Sequence, residues 1–476
     1  MIRTKIVATI GPASDSAEVL DALIAAGADV LRLNLSHGTR EEHARTFERI
    51  RTVAARRKAL VPIIVDLCGA KVRVGKVEGD AFPIGPGDRI DILGETVVGT
   101  AERISTNRPE LIHEVLVWHR VLIDDGIVRL RVQEVGGDRL RCVCEVGGRI
   151  GTHKGINLPD SDLAMSALTD KDRADVAWAV EAGADYIALS FVRTADDVDE
   201  LRNLLPRAKV LPRIVAKIET PQAIDHIDDI IESADVVLVA RGDLGIEVEL
   251  ARVPILQKEM TRKCQAAGKP VIVATQMLQS MVTHPTATRA EVSDVANAVL
   301  DAADAVMLSA ETSVGAYPIE AVRTMDRIAE ETEAYLVGGG VACPGGPDVN
   351  LRWMTTAVAH SADLLVQELD ARLVVAWTEA GHTVRLLSKC RLAQPVVGLS
   401  PDERICRRIA LYYGVIPVCL PQRAELLPML RDIDALLLEH KLAESGDRIV
   451  VVAGARLDPV GATDALLIHL VREPIA

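Results

Sequence analysis

Two neighbouring apolar runs between residues 213 and 245 end in charged side chains, which buried runs normally avoid. The first run closes with Lys217 and Glu219, and the second closes with Asp243. Residues 221–234, which separate the runs, have helical spacing and a proline early enough for a first helical turn. The stretch is therefore predicted to be a strand, a helix and a second strand, as in a parallel barrel or an open α/β sheet.

These charged residues fall where α/β proteins place their chemistry, beyond the carboxyl ends of the strands. Alternation along the first strand turns Lys217 and Glu219 to the same side. Glu219 and Asp243 could together bind one divalent cation such as Mg²⁺, which prefers oxygen ligands and commonly takes only one or two protein carboxylates. Lys217 would add a second positive charge. The alternative is that Lys217 and Glu219 only neutralise each other at a barrel rim.

The same alternation of strand and helix continues along the chain, whose 476 residues suffice for about three domains. With one β-rich segment set aside, eight apolar runs are each followed by a helical pattern, which predicts a (β/α)8 TIM barrel. The runs are residues 4–10, 30–36, 62–66, 186–192, 214–216, 236–240, 270–276 and 305–311. Polar residues lie late in these strands: Arg32, Asn34, Ser36, Asp66, Lys217, Glu219, Asp243, Thr275, Ser309 and Glu311. For Arg32, Asn34 and Ser36, the alternative is that the second strand is a solvated edge strand.

The predicted architecture has three domains. Residues 1–70 and 155–338 form the barrel, and residues 71–154 have the short strands and glycine-rich turns of a small inserted β domain. Residues 339–476 begin with a glycine-rich linker and then alternate strands and helices, which predicts a C-terminal α/β domain. In that domain the turn 378–383 separates a strand from a helix, where backbone N–H groups can receive a phosphate.

Charge and composition argue against several classes of function. A formal net charge of −14 disfavours nucleic acid as the main partner, and 3% aromatic residues leave little for base stacking. An anionic small substrate would need a local pocket of Arg, Lys and metal. The eight cysteines form no CxxC pair, and the chain starts directly as a strand without a secretory segment, which predicts a cytoplasmic location. No apolar run is long enough to span a membrane.

Six motifs taken together resemble the pyruvate kinase family, over a stretch from Thr4 to the end of the chain. They are TKIVATIGPAS (4–14), LRLNLSHG (31–38), KGINLP (154–159), AKIET (216–220), VARGDLGIE (239–247) and VIVATQMLQSMVTHPTATRAEVSDVANAVLDAADAVMLSAET (271–312). The resemblance implies a barrel with a β lid inserted after the third strand and a regulatory C-terminal domain. It also implies a cytoplasmic, glycolytic homotetramer that transfers the phosphoryl group of phosphoenolpyruvate to ADP with Mg²⁺ or Mn²⁺.

The resemblance also implies roles for individual residues. Glu219 and Asp243 match the carboxylates that bind the divalent cation, and Lys217 matches the group that stabilises the enolate and the transferring phosphoryl group. Thr275, with backbone amides around Gly242 and Asp243, matches the site of the substrate carboxylate. Arg32 and Arg73 match residues that contact phosphates. His37 and Lys171 match positions near the nucleotide.

The chemistry of the family requires residues of these types. Phosphoryl transfer concentrates negative charge between two anions, so catalysis is mostly positioning and electrostatic stabilisation by metal, lysine and arginine. The enolate that remains must then be protonated. Thr275, Ser309 or a water molecule between them could relay that proton, and the sequence leaves these alternatives open.

Residues 67–71 resemble the potassium-independent branch of the family through Leu67 and Lys71. In the potassium-using branch, positions matching Asn34, Ser36, Asp66 and residue 67 surround the ion. The expectation is that the Lys71 ammonium supplies this charge and that no K⁺ is required, because a lysine carries a compact charge on a long stem. The alternative is a solvated lysine at the lid hinge. Cys68 and Ala70 are also unusual in either branch, and Ala70 is expected to loosen the hinge.

The turn 378–383 matches the effector site of the family, with Thr378, Gly381, His382 and Thr383 as its expected contacts. Glu379 stands where several members that respond to fructose bisphosphate have lysine. The expected effector is therefore a phosphorylated compound, and a monophosphate rather than fructose bisphosphate.

Two other functions compete with this interpretation. A metal-dependent aldolase or lyase acting on pyruvate or oxaloacetate would also use a barrel with a carboxylate-bound metal, but it gives no reason for a lid or for Arg73. A sugar-phosphate sensor that has lost catalysis would keep the fold, but it predicts decay of the catalytic set, which is present throughout.

Overall fold

The computed structural model describes residues 2–161, 166–206, 210–337, 353–423, 425–454 and 463–472. The first segment alternates strands and helices: β1 (Lys5–Ile10), α1 (Ala17–Ala25), β2 (Val30–Asn34), α2 (Arg40–Arg56) and β3 (Ile63–Asp66). These strands are almost entirely buried because both faces of the sheet are covered, which is why they read as continuous apolar runs. At the start of α2, Thr39 and Glu42 form a capping box that satisfies free backbone N–H groups.

The chain then forms short strands outside the barrel. They are β4 (Ala81–Ile84), β5 (Arg89–Leu93), β6 (Arg103–Ser105), β7 (Arg120–Ile123), β8 (Val128–Gly136), β9 (Arg139–Val146), β10 (Gly148–Gly151) and β11 (Ile156–Asn157). Six of them make a sheet in the order β11-β7-β8-β9-β5-β6, and β4 pairs with β10. Alternating buried side chains of these strands form a separate apolar core, so this lid is a folded unit of its own.

The barrel continues after the lid with longer α/β units. They are α3 (Asp170–Ala182), β12 (Tyr186–Val192), α4 (Ala195–Leu204), β13 (Arg213–Ile218), α5 (Pro221–Asp225), α6 (Ile227–Ser233), β14 (Val236–Ala240), α7 (Arg241–Glu247), α8 (Val253–Ala266), β15 (Val271–Ala274), α9 (Arg289–Leu300), β16 (Ala305–Leu308), α10 (Ala310–Ser313) and α11 (Pro318–Val337). Eight parallel strands close in the order β1-β16-β15-β14-β13-β12-β3-β2. The (β/α)8 prediction is confirmed.

The C-terminal part is a five-stranded α/β sheet. Its elements are α12 (Trp353–Leu369), β17 (Leu373–Trp377), α13 (His382–Lys389), β18 (Val396–Ser400), α14 (Glu403–Ile409), β19 (Val415–Cys419), α15 (Leu426–Glu439), β20 (Arg448–Ala453) and β21 (Ala465–Leu470). The sheet order is β19-β18-β17-β20-β21, with β21 antiparallel to β20. The linker predicted at residues 338–349 lies outside the described residues.

The C-terminal sheet and its helices pack against the amino-terminal ends of the barrel strands. The Tyr186 hydroxyl, at the start of β12, donates to the Arg408 carbonyl of α14 at 2.7 Å. Lys389 of α13 forms a fully buried ion pair with Asp304, which precedes β16. These contacts leave the carboxyl ends of the barrel strands to the lid and to solvent. No helix in the described ranges is long and apolar enough to cross a membrane.

Several element boundaries differ from the prediction. The helix expected over 221–234 is two helices that meet at His226, and the helices α7, α10 and α15 were not predicted. The second strand ends at Asn34, because the Asn34 side chain accepts the Ser36 N–H at 3.1 Å and starts a turn. The eighth strand ends at Leu308, because the Glu311 carboxylate accepts the Ser309 N–H at 2.7 Å and begins α10.

Candidate active site

A buried group of charges lies at the carboxyl ends of β3, β12 and β13. The Lys217 ammonium is 2.8 Å from Glu219 Oε1, 3.5 Å from Asp66 Oδ1 and 2.7 Å from the Ser190 hydroxyl. Burial by itself would lower the pKa of Lys217, but the Asp66 and Glu219 carboxylates outweigh it and hold that pKa above the usual range. Lys217 is therefore a permanent positive charge in the barrel mouth.

Asp66 holds two of these cations in place. Its Oδ2 accepts a hydrogen bond from Arg32 Nε at 2.7 Å, and Arg32 also donates to the Thr9 hydroxyl at 2.9 Å. Asp66 is fully buried, which would raise its pKa, yet Lys217 and Arg32 reverse that effect and lower the pKa. A charged Asp66 thus fixes the orientation of both Lys217 and Arg32.

Glu219 and Asp243 offer a pair of carboxylates that fits a divalent cation. Glu219 is 2% exposed, and its Oε2 accepts the Phe191 N–H at 2.7 Å. Burial raises the pKa of Glu219, Lys217 opposes this effect, and the Asp243 carboxylate adds to it, so a cation bound at the pair would favour the ionised form of Glu219. No group of three or more His, Cys, Asp or Glu side chains suited to a metal occurs in the described ranges. An ion held here would take its other ligands from water and substrate.

The loop after β15 is held against the first turn of α7. Thr275 adopts a left-handed backbone conformation with φ +71°, and its hydroxyl accepts the Gly242 N–H at 2.6 Å. A side chain at Gly242 would bring a Cβ within 3.2 Å of the Thr275 hydroxyl, so this approach favours glycine. Arg241 reinforces the contact by donating to the Thr275 carbonyl at 2.8 Å. Thr275 and Gly242 therefore lie next to Asp243, one of the two carboxylates.

Ser309 follows the eighth strand and is positioned by Glu311. The fully buried Glu311 carboxylate accepts the Ser309 N–H at 2.7 Å and the Leu278 N–H at 3.1 Å, which joins the loops after β15 and β16. Glu311 was expected to be one of several polar groups in the barrel mouth. In the structure its carboxylate instead accepts hydrogen bonds from backbone N–H groups of the two loops.

Two of the residues matched to the nucleotide lie on one side of the mouth. Lys171 donates to the Leu35 carbonyl at 3.0 Å and to Asp175 at 2.6 Å, and the exposed His37 follows two residues after Leu35. A shallow cavity of about 240 Å³ lies here, lined in part by Leu35, Lys171 and Trp178. Arg73 lies on the lid side, where its side chain donates to the His153 carbonyl at 3.0 Å.

Lys71, which is expected to supply the charge of the potassium ion, points towards Asp243. Its ammonium lies 3.6 Å from Asp243 Oδ1 and 5.9 Å from the centre of the Phe191 ring, beside the carboxylate pair. The stem passes close to Gly155, where an added Cβ would be 2.9 Å from Lys71 Cε, and this passage directs the side chain to Asp243. In the expected potassium pocket, Asn34 accepts the Ser36 N–H, and the Leu67 carbonyl accepts the Ser190 hydroxyl at 2.9 Å.

The turn matched to the effector site is closed by its own hydrogen bonds. Gly381 has φ +86°, and its N–H donates to the buried Thr378 hydroxyl at 2.9 Å. The Thr383 hydroxyl shares a hydrogen bond with Thr463, and His382 begins α13. Glu379 is half-buried at the same turn.

Two contributors to the site were missed. Ser190 links Lys217 to the Leu67 carbonyl, and the only signal was one hydroxyl within the apolar run YIALSFV. Glu247, at the end of α7, accepts a hydrogen bond from Asn157 of the lid strand β11 at 2.6 Å, and burial raises the pKa of Glu247 to about 7. The motif that contains Glu247 was recognised, but an acid after a glycine-rich turn gives no indication of burial.

Comparison with known proteins agrees with this geometry. The model of the pyruvate kinase barrel domain matches residues 1–322, and the model of the pyruvate kinase alpha/beta domain matches residues 356–469. The chain is 42% identical to a pyruvate kinase of Methylorubrum extorquens over 98% of this chain and 97% of that protein. It is 39% identical to a pyruvate kinase of Bacillus licheniformis, over 100% of this chain and 82% of that protein. A crystal structure of a pyruvate kinase from Cryptosporidium parvum superposes with a TM-score of 0.90 at 34% identity, covering 99% of this chain and 96% of that one. The chain belongs to the pyruvate kinase family.

Proposed function

We propose that the charges around Lys217 carry out the reaction of the family, the transfer of the phosphoryl group of phosphoenolpyruvate to ADP. The observation that supports this most is the buried arrangement in which Asp66 holds Arg32 and Lys217, because it presents two fixed cations to one anionic substrate. Such charges stabilise the transition state strongly because they are already oriented and need no rearrangement during the reaction.

Glu219 and Asp243 are the proposed ligands of Mg²⁺ or Mn²⁺. When bound, the ion would neutralise charge on the phosphoryl group and on the enolate oxygen. Burial is the main cause that raises the pKa of Glu219, and the Asp243 carboxylate raises it further; a bound cation would favour the ionised form of both groups, which supports this assignment.

Lys217 has two proposed tasks, which follow one another in the reaction. It attracts the transferring phosphoryl group, and it then stabilises the enolate that remains when the bond between phosphorus and oxygen has broken. Its raised pKa suits both tasks, because the group stays protonated at any physiological pH. Arg32, oriented by Asp66 and Thr9, contacts the phosphate.

Thr275, with the backbone amides of Gly242 and Asp243, is the proposed site of the substrate carboxylate. The hydroxyl of Thr275 accepts the Gly242 N–H and donates to the Ala274 carbonyl at 2.6 Å in the free enzyme. A proton could reach C3 of the enolate through Thr275, Ser309 or a water molecule between them. His37, Arg73 and Lys171 are the proposed contacts of ADP.

The absence of a potassium requirement is a further proposal. Asp66, which would face the ion, already has two protein cations within 3.5 Å, and Lys71 adds a third positive charge to the barrel mouth, 3.6 Å from Asp243. A phosphorylated effector at Thr378, Gly381, His382 and Thr383, a homotetrameric assembly and a cytoplasmic location are proposed from the family alone.

The test is an assay of pyruvate formation from phosphoenolpyruvate, coupled to lactate dehydrogenase, with and without ADP. We expect pyruvate only when both ADP and a divalent cation are present, with ATP formed in equal amount. Pyruvate formed at the same rate without ADP would contradict phosphoryl transfer, and pyruvate formed only from oxaloacetate would favour the lyase alternative.

A further inference from the structure

Two cysteine side chains meet at one edge of the C-terminal sheet, away from the barrel mouth. Cys406 lies on α14, and its sulfur is 3.4 Å from the Ser400 carbonyl and 3.4 Å from the Val418 carbonyl. Cys419 directly follows Val418 and pairs with Ser400 in the register of β18 and β19. The backbone of Cys419 is therefore adjacent to the Cys406 sulfur, and each of the two thiols shifts the pKa of the other.

The two thiols differ in accessibility. Cys406 is fully buried, whereas Cys419 is exposed at the end of β19. The neighbouring Cys406 thiol is the main reason why the pKa of Cys419 is lowered, while Cys419 and burial raise the pKa of Cys406. An accessible thiol with a stabilised thiolate is the kind that reacts with oxidants, and a neighbouring thiol can then displace the oxidised group.

The surrounding structure can accommodate a bond between them. β19 is the edge strand of its sheet, with β18 as its one neighbour, so a small shift of Cys419 disturbs few backbone hydrogen bonds. α14 is more firmly held, because Arg407 forms an ion pair with Asp185 of the barrel at 2.9 Å. A covalent link would therefore fasten the free edge of the sheet to a helix that is anchored on the barrel.

We infer that Cys406 and Cys419 are a modification site, which forms a reversible intrachain disulfide on exposure to a peroxide. In the first step the Cys419 sulfur attacks one oxygen of hydrogen peroxide, which gives a sulfenic acid and releases water. In the second step the Cys406 sulfur displaces hydroxide from the Cys419 sulfur, which forms the disulfide and, with the thiol proton, a second water. Two thiols are oxidised and one peroxide is reduced, and an added dithiol reverses the change.

The experiment treats the full-length enzyme with a small excess of hydrogen peroxide, blocks the remaining thiols with an alkylating reagent, and digests the protein with trypsin without reduction. The sequence places the two cysteines in separate tryptic peptides, residues 405–407 and 409–423. We expect these two peptides joined by a disulfide, with a mass two hydrogens below their sum, and we expect dithiothreitol to restore both free peptides.

Three variants make the test specific. Cys419→Ser removes the accessible thiol without disturbing a buried position, and it should leave Cys406 reduced after peroxide. Cys406→Ser should trap Cys419 as a sulfenic acid that dimedone labels. Cys390→Ser changes a partly exposed cysteine elsewhere in the domain and should form the linked peptide as the natural sequence does. Cys419 that stays fully alkylatable after peroxide, or that links only to a second copy of the chain, would overturn the inference.

Discussion

The Lys217 ammonium lies 2.8 Å from the Glu219 carboxylate, so in the free enzyme the proposed catalytic cation is paired with a proposed metal ligand. Both residues are buried, and Asp66 lies 3.5 Å from the same ammonium. A divalent cation at Glu219 would compete with Lys217 for that carboxylate. Lys217 would then keep Asp66 as its partner and turn more of its charge to the substrate, which makes metal binding and activation of Lys217 linked events.

Lys217→Met should reduce kcat by at least about 10²- to 10³-fold, because it removes one preorganised charge from the transition state. The methionine keeps most of the volume, so the circular dichroism spectrum should be unchanged. Lys263→Met, which changes a lysine of an exposed ion pair with Asp228, is the matched control and should keep the natural rate. Activity of the Lys217 variant within tenfold of the natural enzyme would exclude Lys217 from the mechanism.

Asp66→Asn should destabilise the barrel by about 3 kcal/mol or more, because it leaves the buried Arg32 and Lys217 without their shared counter-ion. Urea unfolding followed by tryptophan fluorescence would measure the loss. Asp228→Asn, at an exposed salt bridge, should change the free energy of unfolding by less than about 0.5 kcal/mol. Equal effects of the two substitutions would mean that the buried charges find other partners.

Glu247 should make stability depend on pH between its unfolded and folded pKa values. Burial raises the pKa of Glu247 from 4.5 to about 7, so the folded protein prefers the protonated acid. The contribution of the protonated acid to the free energy of unfolding is fully present below pH 4.5 and is lost as the pH rises through 7. The loss amounts to about 3 kcal/mol. Glu247→Gln, measured in EDTA, should therefore gain stability relative to the natural enzyme as the pH rises from 5 to 8.

The matched control for this pH dependence is Glu249→Gln, because Glu249 is an exposed acid in the same segment. The difference in melting temperature between this control and the natural enzyme should be the same at pH 5 and at pH 8. If the stability of the Glu247→Gln variant changes with pH as that of the natural enzyme does over that range, Glu247 is ionised with an ordinary pKa.

The sequence was sufficient to predict the barrel and most of the candidate site, because both depend on local patterns. Each barrel strand is an apolar run buried on two faces, and Lys217 and Glu219 share a face through simple alternation. The contacts that cross between strands were harder to predict. Asp66 is the common partner of Arg32 and Lys217 only because β2, β3, β12 and β13 are neighbours in the closed barrel.

Local sequence patterns also could not predict the direction of long side chains or the positions of turns. The pairing of Lys71 with Asp243 was not predicted, because it depends on the gap that Gly155 leaves in another segment of the chain. The break at His226 and the early end of the eighth strand depend on hydrogen bonds that no apolar pattern encodes. The apolar patterns therefore specify which elements form, and tertiary contacts decide where the side chains at their ends point.

Glu379 should select the effector at the turn 378–383. A carboxylate beside the turn repels a second phosphate, so ribose 5-phosphate, glucose 6-phosphate or AMP should lower the half-saturating concentration of phosphoenolpyruvate more than fructose 1,6-bisphosphate does. Glu379→Lys should increase the response to the bisphosphate, and Glu425→Lys, at an exposed position in the same domain, is the control. Fructose 1,6-bisphosphate as the strongest activator of the natural enzyme would contradict the role of Glu379.

Lys71 should make the enzyme independent of potassium, because it supplies a fixed positive charge 3.6 Å from Asp243. The enzyme should turn over in Mg²⁺ with tetramethylammonium as the only monovalent cation, and added KCl should raise kcat by less than about twofold. Lys71→Glu combined with Leu67→Thr should lower activity and make the remainder respond to K⁺, whereas Lys76→Glu, at an exposed lysine of the same segment, should change neither property. A natural enzyme that is inactive until K⁺ is added would show that the Lys71 charge does not replace the ion, and its pairing with Asp243 would then serve only to hold the lid.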